Sequence, residues 1–278
     1  MKAVRQPLTL TLRRVMLTGG PWRWPSRCWV CGTWPGPALC EPCVSAFAQP
    51  RPRCPRCALP LHLAPLVTRN VASSEAVDKN SPLPRPGLCR SCSVTTPLLS
   101  NCHAALDYDY PWNRCIAAFK YGQQPGLART LGTLMWHAPG IAPALEQVDL
   151  VVPMPLSSQR LFARGFNQAH ELARELERHR RGDNPSRPTR GRYHPHLLHR
   201  LRDTQAQSTL DAARRHTNLS HACHVLPADH RFIQGRQVAV IDDIMTTGAS
   251  LQEAARALLQ AGASRVVGVV LARTPEVS

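Results

Sequence analysis

The sequence has few lysines, few acids and no long apolar run. Its only lysines are Lys2, Lys79 and Lys120, so arginine carries nearly all of the net charge of +16. No stretch approaches the ~18 consecutive apolar residues that a membrane-spanning helix needs, which excludes membrane insertion. Arg13 and Arg14 interrupt the apolar part of the N-terminus, which argues against a secretory signal and for a cytoplasmic protein.

The excess of arginine points to an anionic partner. Arginine binds phosphate through two parallel hydrogen bonds, and a basic surface predicts polyanion binding, with nucleic acid first. A GC-rich coding sequence would explain arginine in place of lysine, but it would not explain 34 basic residues against 18 acidic ones. A length of 278 residues allows one full core and one additional small module.

The stretch Val238–Ser250, VAVIDDIMTTGAS, combines a strand pattern, an acid pair, a turn and a helix start. The apolar run predicts a buried parallel strand, and Asp242 and Asp243 follow where that strand should end. Ligands of open α/β sheets sit beyond the carboxyl ends of strands, and helix N-termini hold anions. We therefore expect a sugar phosphate, with the acids on sugar hydroxyls or on a Mg²⁺ shared with the ligand. The predicted phosphate-binding residues are Thr246, Thr247, Gly248, Ala249 and Ser250.

This stretch resembles the phosphoribosyl-pyrophosphate (PRPP) motif of type I phosphoribosyltransferases. In that family two acids contact the ribose hydroxyls, and the loop that follows them holds the 5′-phosphate. The resemblance implies that Asp242 and Asp243 are the catalytic pair and that Mg²⁺ accompanies PRPP. It also implies an α/β fold, with a mostly parallel sheet and flanking helices. The alternative is an ordinary strand–turn–helix unit with a solvated acidic turn.

Four C-x-x-C pairs precede this region. One such pair presents two thiolates at the angle that tetrahedral Zn²⁺ needs, so four pairs predict two closed, structural zinc sites. Sequential pairing of the first with the second and of the third with the fourth is favoured, and an interleaved arrangement is the alternative. The predicted ligands are Cys28, Cys31, Cys40, Cys43, Cys54, Cys57, Cys89 and Cys92.

These patterns predict three regions: a basic lead-in over residues 1–27, a double zinc ribbon over 28–100 and a phosphoribosyltransferase-like domain over 101–278. Within the ribbon, the Pro-, Ser- and Asn-rich segment 66–83 is expected to be disordered. The basic, His-rich segment 179–199 is interpreted as an inserted linker. The cysteines outside the four pairs are expected to pack in the core: Cys102, Cys115 and Cys223.

A second apolar run, Val148–Pro153, predicts another buried strand, and Arg160 and Arg164 follow it around a turn at Gly165. The end of this strand and the two arginines predict a second anion site. In type I phosphoribosyltransferases the equivalent strand end is the pyrophosphate loop. Lys120 in the Phe-Lys-Tyr-Gly run is a further candidate contact, or else an exposed cation at a helix end. The residues assigned to PRPP on this side are Pro153, Met154, Pro155, Arg164 and Lys120.

The Arg-Gly-Phe-Asn-Gln run at 164–168, the four cysteine pairs and the Phe-Lys-Tyr-Gly run together resemble the ComF family (ComF/GntX-like), as does the pattern of residues 201–219. Members of that family are linked to natural competence, DNA uptake and DNA utilisation. The resemblance implies PRPP binding, single-stranded DNA binding and competence or DNA-uptake partner proteins, with 201–219 as a loop that closes over the site. The alternative is an active phosphoribosyltransferase in nucleobase or nucleoside salvage, whose acceptor no residue identifies.

Overall fold

The computed structural model describes residues 26–61, 87–182, 192–200 and 222–275. The strands, in chain order, are β1 (Asn101–Asp107), β2 (Leu150–Pro153), β3 (His199–Arg200), β4 (Cys223–His224), β5 (Gln237–Met245) and β6 (Arg265–Arg273). The helices are α1 (Glu41–Phe47), α2 (Arg90–Val94), α3 (Trp112–Tyr121), α4 (Leu127–His137), α5 (Ile141–Gln147), α6 (Ser158–Arg164), α7 (Gln168–Arg181), α8 (His230–Ile233) and α9 (Ala249–Gln260).

Four of the described strands form one parallel sheet in the order β1-β6-β5-β2, while β3 and β4 form a short antiparallel pair. The apolar runs of β5 and β6 are almost entirely buried, which is expected of central strands that helices cover on both faces. The predicted fold class, a mostly parallel sheet with flanking helices, is confirmed. Among the residues described, no helix is both long enough and apolar enough to cross a membrane.

Alternation along the central strands divides the interior into two cores. On one face Ala239 and Ile241 of β5 pack with residues of α3, α4 and α7, and this core also contains Leu39 and Val44 from the cysteine-rich region. On the other face Val238 of β5 and the apolar side of α9 pack with Ala58 from a different part of the cysteine-rich region. The N-terminal region therefore contributes to both faces of the sheet.

Helix α6 was not predicted from the sequence, which placed Arg160 and Arg164 around a turn at Gly165 and assigned no helix before it. The hydroxyl of Ser157 caps its N-terminus by accepting from the N–H of Arg160, at 3.4 Å. Gly165 ends the helix with φ of 77°, a left-handed conformation that favours glycine. Because α6 buries none of its residues, its sequence lacks the apolar periodicity that would have predicted a helix.

Several expectations lie outside the described residues. They concern almost all of the lead-in 1–27, the predicted disorder of 66–83, part of the 179–199 linker and the closing loop predicted at 201–219.

Candidate functional site

The carboxylates of Asp242 and Asp243 lie within the last part of β5, which continues to Met245. The prediction that they follow the strand is therefore wrong, and the neighbouring strands explain why. Strand β2 pairs with β5 only as far as Ile241, whereas β6 pairs with it through Met245. The acids thus lie where β5 runs past the end of β2, on the wall of a cavity.

An ion pair holds one of the two acids in place. Lys120, at the end of α3, lies 3.0 Å from Asp243, and their side chains are only 14% and 11% exposed. Burial, together with the nearby Asp243 carboxylate, raises the pKa of Asp242 to about 7. A ligand that brings hydroxyl donors or positive charge to Asp242 would favour its ionised form.

The turn between β5 and α9 has the geometry of an anion site. Gly248 caps α9 with φ of 84°, and a Cβ at this position would collide with the methyl group of Met245. The methyl group is the end of a flexible side chain and could move, so the positive φ is what makes other residue types costly here. Thr246 and Thr247 are exposed beside the first turn of the twelve-residue helix α9, whose unpaired N–H groups carry partial positive charge. The turn therefore offers hydroxyls and main-chain donors to a phosphate.

The Arg-Gly-Phe-Asn-Gln run builds the opposite wall. Asn167 caps α7 by accepting from the N–H groups of Ala169 and His170, and it donates to the carbonyl of Met154 at 3.0 Å. Arg164 donates to the side-chain oxygen of Gln168 at 2.9 Å, which directs the Gln168 NH₂ group elsewhere. That NH₂ group is buried without a hydrogen-bond partner among the described residues. A buried donor of this kind needs an acceptor, and the neighbouring cavity can admit one.

These walls enclose one cavity of about 230 Å³. It brings together all but one of the residues assigned to PRPP from the sequence, and the exception is Pro153, which is buried at the end of β2. The assigned residues that line it are Lys120, Met154, Pro155, Arg164, Asp242, Asp243, Thr246, Thr247, Gly248, Ala249 and Ser250.

The four cysteine pairs come together as two clusters, and the grouping follows the favoured sequential arrangement. We call Cys28, Cys31, Cys40 and Cys43 the first cluster, and Cys54, Cys57, Cys89 and Cys92 the second cluster.

Within each cluster the four sulfur atoms lie within 4.8 Å of one another. The pairs Cys31–Cys40 and Cys57–Cys89 are separated by 3.6 and 3.5 Å. Sulfurs around a tetrahedral zinc ion lie about 3.8 Å apart, given a Zn–S distance of about 2.3 Å. Either cluster could hold a zinc ion, which would fix the local fold.

The remaining cysteines Cys102, Cys115 and Cys223 are buried, as predicted for packing residues. Burial raises the pKa of Cys115 and that of Cys223 to about 11, so both remain neutral thiols near neutral pH.

Three residues at or near the cavity were missed. Gln168 and Asn167 lay inside a motif that was used only for its family resemblance, although an Asn before a helix is a recognisable cap. Arg200 of β3 also lines the cavity, but it follows a His-rich segment without periodicity, so no sequence signal placed it there.

The parallel sheet with flanking helices is an α/β fold of phosphoribosyltransferase-like class, and the chain also carries two four-cysteine clusters. The chain is 29% identical over 261 residues to the DNA utilization protein YhgH of Escherichia coli O6:H1, covering 90% of this chain and 98% of the relative. It is 29% identical over 188 residues to Competence protein F of Haemophilus influenzae, covering 66% and 78%. The chain is therefore a homologue of these proteins, which confirms the predicted resemblance.

A shorter match reaches Competence protein ComFC of Bacillus subtilis, with 39% identity over 113 residues that cover 41% of this chain and 39% of the relative. No protein-family model matches the chain. Among solved structures, glutamine PRPP amidotransferase from B. subtilis aligns with a TM-score of 0.29 and 16% identity over 54% of this chain, which spans about a quarter (26%) of that enzyme.

Proposed function

We propose that the chain binds PRPP in this cavity and acts in DNA uptake or DNA utilisation. One observation carries the PRPP assignment: an acid pair, of which Asp243 is buried, and a helix N-terminus with exposed hydroxyls line the same small cavity. A sugar phosphate presents hydroxyl donors at one end and an anion at the other, which matches these two walls.

The residues then take distinct roles. Asp242 and Asp243 would accept hydrogen bonds from the ribose hydroxyls, while Thr246, Thr247 and Ser250 would donate to the 5′-phosphate. Arg164 and Gln168 would face the diphosphate. Mg²⁺ prefers oxygen ligands, so a cavity with two carboxylates fits such an ion bound together with the ligand, where it would offset the charge of the diphosphate.

Calorimetry with Mg²⁺ and PRPP tests this assignment. The double variant Asp242→Asn, Asp243→Asn should lose detectable PRPP binding, because amides accept hydroxyl hydrogen bonds more weakly than carboxylates. The control Glu146→Gln, Asp229→Asn removes the same charge away from the cavity and should bind as the wild type does. Thr247→Val tests the phosphate end separately. Unchanged PRPP affinity in the double Asp variant would refute the role of the acids.

The role in DNA handling is supported by the matched relatives, which are named for competence and DNA utilization. It is also supported by a face that contains two exposed tyrosines, one just before α3 and one at its end, each with an arginine beside it. The guanidinium of Arg114 lies 5.3 Å from the ring centre of Tyr110, and that of Arg164 lies 5.2 Å from the ring centre of Tyr121. Exposed tyrosines with stacked arginines can hold unpaired bases and their phosphates. We therefore propose single-stranded DNA as the partner at this face.

Fluorescence anisotropy with a labelled single-stranded oligonucleotide tests this part. Affinity should fall steeply as salt is raised, because bound arginines release counterions from the phosphates. The variant Tyr110→Ala, Tyr121→Ala should bind more weakly, and Tyr110→Phe, Tyr121→Phe, which keeps the rings, should not. Binding that is independent of salt would contradict the proposal.

A transferase in nucleobase or nucleoside salvage is the second candidate. The NH₂ group of Gln168, which has no hydrogen-bond partner among the described residues, favours it, because that donor could bind a departing diphosphate. In such a reaction the bond from C1′ of the ribose to the diphosphate breaks, and a bond from C1′ to a nitrogen acceptor forms. Release of pyrophosphate that requires an added nucleobase would support this candidate, and its absence across nucleobases and nucleic acid would favour a binding protein.

A further inference from the structure

Arg273 connects the second cluster to the turn between β5 and α9, residues 246–248, which we call the phosphate turn. It is the last residue of β6, pairs with Met245 of β5 and is only 8% exposed. Its guanidinium donates to the carbonyl of Cys57 at 3.0 Å, to that of Met245 at 3.2 Å and to that of Thr246 at 2.5 Å. Cys57 is a member of the second cluster, while Met245 and Thr246 lead into the turn that ends at Gly248. One buried side chain thus contacts both structures.

The hydrogen bonds of Arg273 depend closely on the positions of the main-chain carbonyls that accept them. The hydrogen bonds of Arg273 in the described structure go to main-chain carbonyls, including that of Thr274 at 2.6 Å. A buried cation is costly when its donors lose their acceptors. Displacement of the Cys57 carbonyl would therefore leave a buried donor unpaired, unless the guanidinium moved and released Met245 and Thr246.

A second route joins the same two structures. The N–H of Cys102 in β1 donates to the carbonyl of Pro55, which lies between Cys54 and Cys57, at 2.8 Å. The thiol of Cys102 also contacts the sulfur of Met245 at 3.6 Å, and Met245 lies directly beneath Gly248. The second cluster is therefore held against the base of the phosphate turn at two points.

The first cluster has a different attachment. Its helix α1 is joined to α3 by the indole N–H of Trp112, which donates to the carbonyl of Phe47 at 2.9 Å. Leu39 and Val44 pack in the core on the other face of the sheet, away from Met245. The chain therefore contains a built-in control: a second set of four cysteines with no described hydrogen bond to the turn.

We propose that the second cluster, when it holds zinc, positions the phosphate turn through Arg273, so that loss of this metal weakens binding of the 5′-phosphate. Arg273 is then a positioning residue that touches no ligand. The proposal rests on the proposed function, because it assumes that the turn binds a phosphate. By thermodynamic reciprocity, a bound sugar phosphate must also raise the affinity of the second cluster for zinc by the same factor.

The first experiment measures the affinity of the full-length protein for ribose 5-phosphate by calorimetry. Removing the second cluster with Cys89→Ser, Cys92→Ser should lower this affinity about tenfold, a typical coupling between two sites. Removing the first cluster with Cys31→Ser, Cys40→Ser should leave the affinity within about twofold, well below such a coupling. Metal analysis should show that each variant has lost one of its two zinc ions. Equal losses of affinity in the two variants would overturn the proposal.

The second experiment isolates Arg273 with both zinc ions in place. Arg273→Lys keeps the positive charge but cannot reach several carbonyls at once, so affinity for ribose 5-phosphate should again fall about tenfold while zinc content stays unchanged. The matched control is Arg265→Lys at the other end of β6, where Arg265 donates to Ser100 and Asn101. A loss of affinity in Arg265→Lys equal to that in Arg273→Lys would show a general effect on β6 and would sink the proposal.

The reciprocal measurement is one that a merely structural role would not change. In an equilibrium competition with a chromophoric chelator, ribose 5-phosphate should protect one of the two zinc ions by raising its affinity about tenfold, and Arg273→Lys should abolish that protection. Protection of both ions, or of neither, would count against the proposal.

Amide hydrogen exchange separates failure of this proposal from failure of the proposed function. If the wild type binds neither PRPP nor ribose 5-phosphate, the proposed function is wrong. The connection between the second cluster and the phosphate turn is then tested by the exchange rates of amides 246–249. These rates should rise in Arg273→Lys and in the variant without the second cluster. Unchanged exchange in both variants would overturn the link, whatever the turn binds.

Discussion

The two cysteine clusters have the same ligands but lie in different surroundings. The first cluster has Cys31 exposed and Cys40 half-buried, and its neighbours pack against the core formed by α3, α4 and α7. In the second cluster Cys54, Cys89 and Cys92 are buried, and its neighbour Ala58 packs on the face of the sheet that carries α9. The two clusters are built from the same C-x-x-C motifs but therefore pack on different faces of the sheet.

This difference predicts that a metal bound in the second cluster also affects the ligand site that we propose. Both clusters could stabilise the fold by fixing loops that have little core of their own. Only in the second cluster does a described hydrogen bond lead, through Arg273, to the main chain beside the phosphate turn. The comparison predicts that the two regions contribute similarly to stability and unequally to ligand binding.

The largest expected effect comes from a matched pair of core substitutions, Leu39→Ala and Leu99→Ala. Both leucines are fully buried, the first beside the first cluster and the second in the core of the α9 face. Each variant should lose about 2–5 kcal/mol of unfolding free energy in urea denaturation. Only Leu99→Ala should also lower affinity for ribose 5-phosphate, because Leu99 packs with Cys102 and Met245. A loss of affinity in Leu39→Ala as well would break the comparison.

A smaller effect on stability is expected from Asp242, one of the two acids that line the cavity. Asp242 has its pKa raised by burial to about 7, against an ordinary value near 4, so the native protein holds a proton that the unfolded chain releases. Stability should therefore fall as pH rises from about 4 to about 7, and Asp242→Asn should remove that part of the fall.

We expect Asp242→Asn to raise the unfolding free energy by about 1–3 kcal/mol at pH 8 and to change it little at pH 4. Denaturation of both proteins at the two pH values checks this, because titration of the cysteines is common to both and cancels. A variant that is less stable than the wild type at pH 8 would contradict the assigned shift.

A third prediction tests the attachment of the first cluster. Trp112→Phe removes the hydrogen bond from the buried indole to the Phe47 carbonyl, which should cost about 0.5–1.5 kcal/mol of unfolding free energy. Affinity for ribose 5-phosphate should not change, in contrast to Arg273→Lys. The measurements are urea denaturation and calorimetry, and a fall in affinity would show that the first cluster also reaches the ligand site.

The smallest effect is kinetic. Because Cys31 is exposed whereas three cysteines of the second cluster are buried, a chelator should remove zinc from the first cluster severalfold faster. Release should occur in two phases, and the faster phase should be missing in Cys31→Ser, Cys40→Ser. Loss of the slower phase in that variant would reverse the assignment.

Parts of the parallel sheet and both cysteine clusters were predictable from the local pattern of residues in the sequence. The apolar runs that begin at Val148 and at Val238 predicted the strands that the structure shows as β2 and β5. The spacing of the cysteine pairs predicted two four-cysteine sets. These signals succeed because the period of apolar residues and the reach of a C-x-x-C turn are local properties of the chain.

Other features depended on neighbours distant in sequence. The continuation of β5 through its two acids reflects the greater length of its partner β6, and the ion pair between Lys120 and Asp243 joins α3 to β5. The hydrogen bonds of Gln168 become informative only when Arg164 and the cavity are both in place. None of these relations leaves a period or a spacing in the sequence.

The sequence by itself determined the chemistry available: eight paired thiols, two adjacent carboxylates and a hydroxyl–glycine turn before a helix. Only the tertiary structure decided which cluster lies beside that turn, since Cys57 and Arg273 are 216 positions apart. The spacing of the two thiols in a C-x-x-C pair depends on a few backbone angles. The contact between Cys57 and Arg273 depends instead on the register of β6 against β5 and on the packing of the second cluster against that face of the sheet.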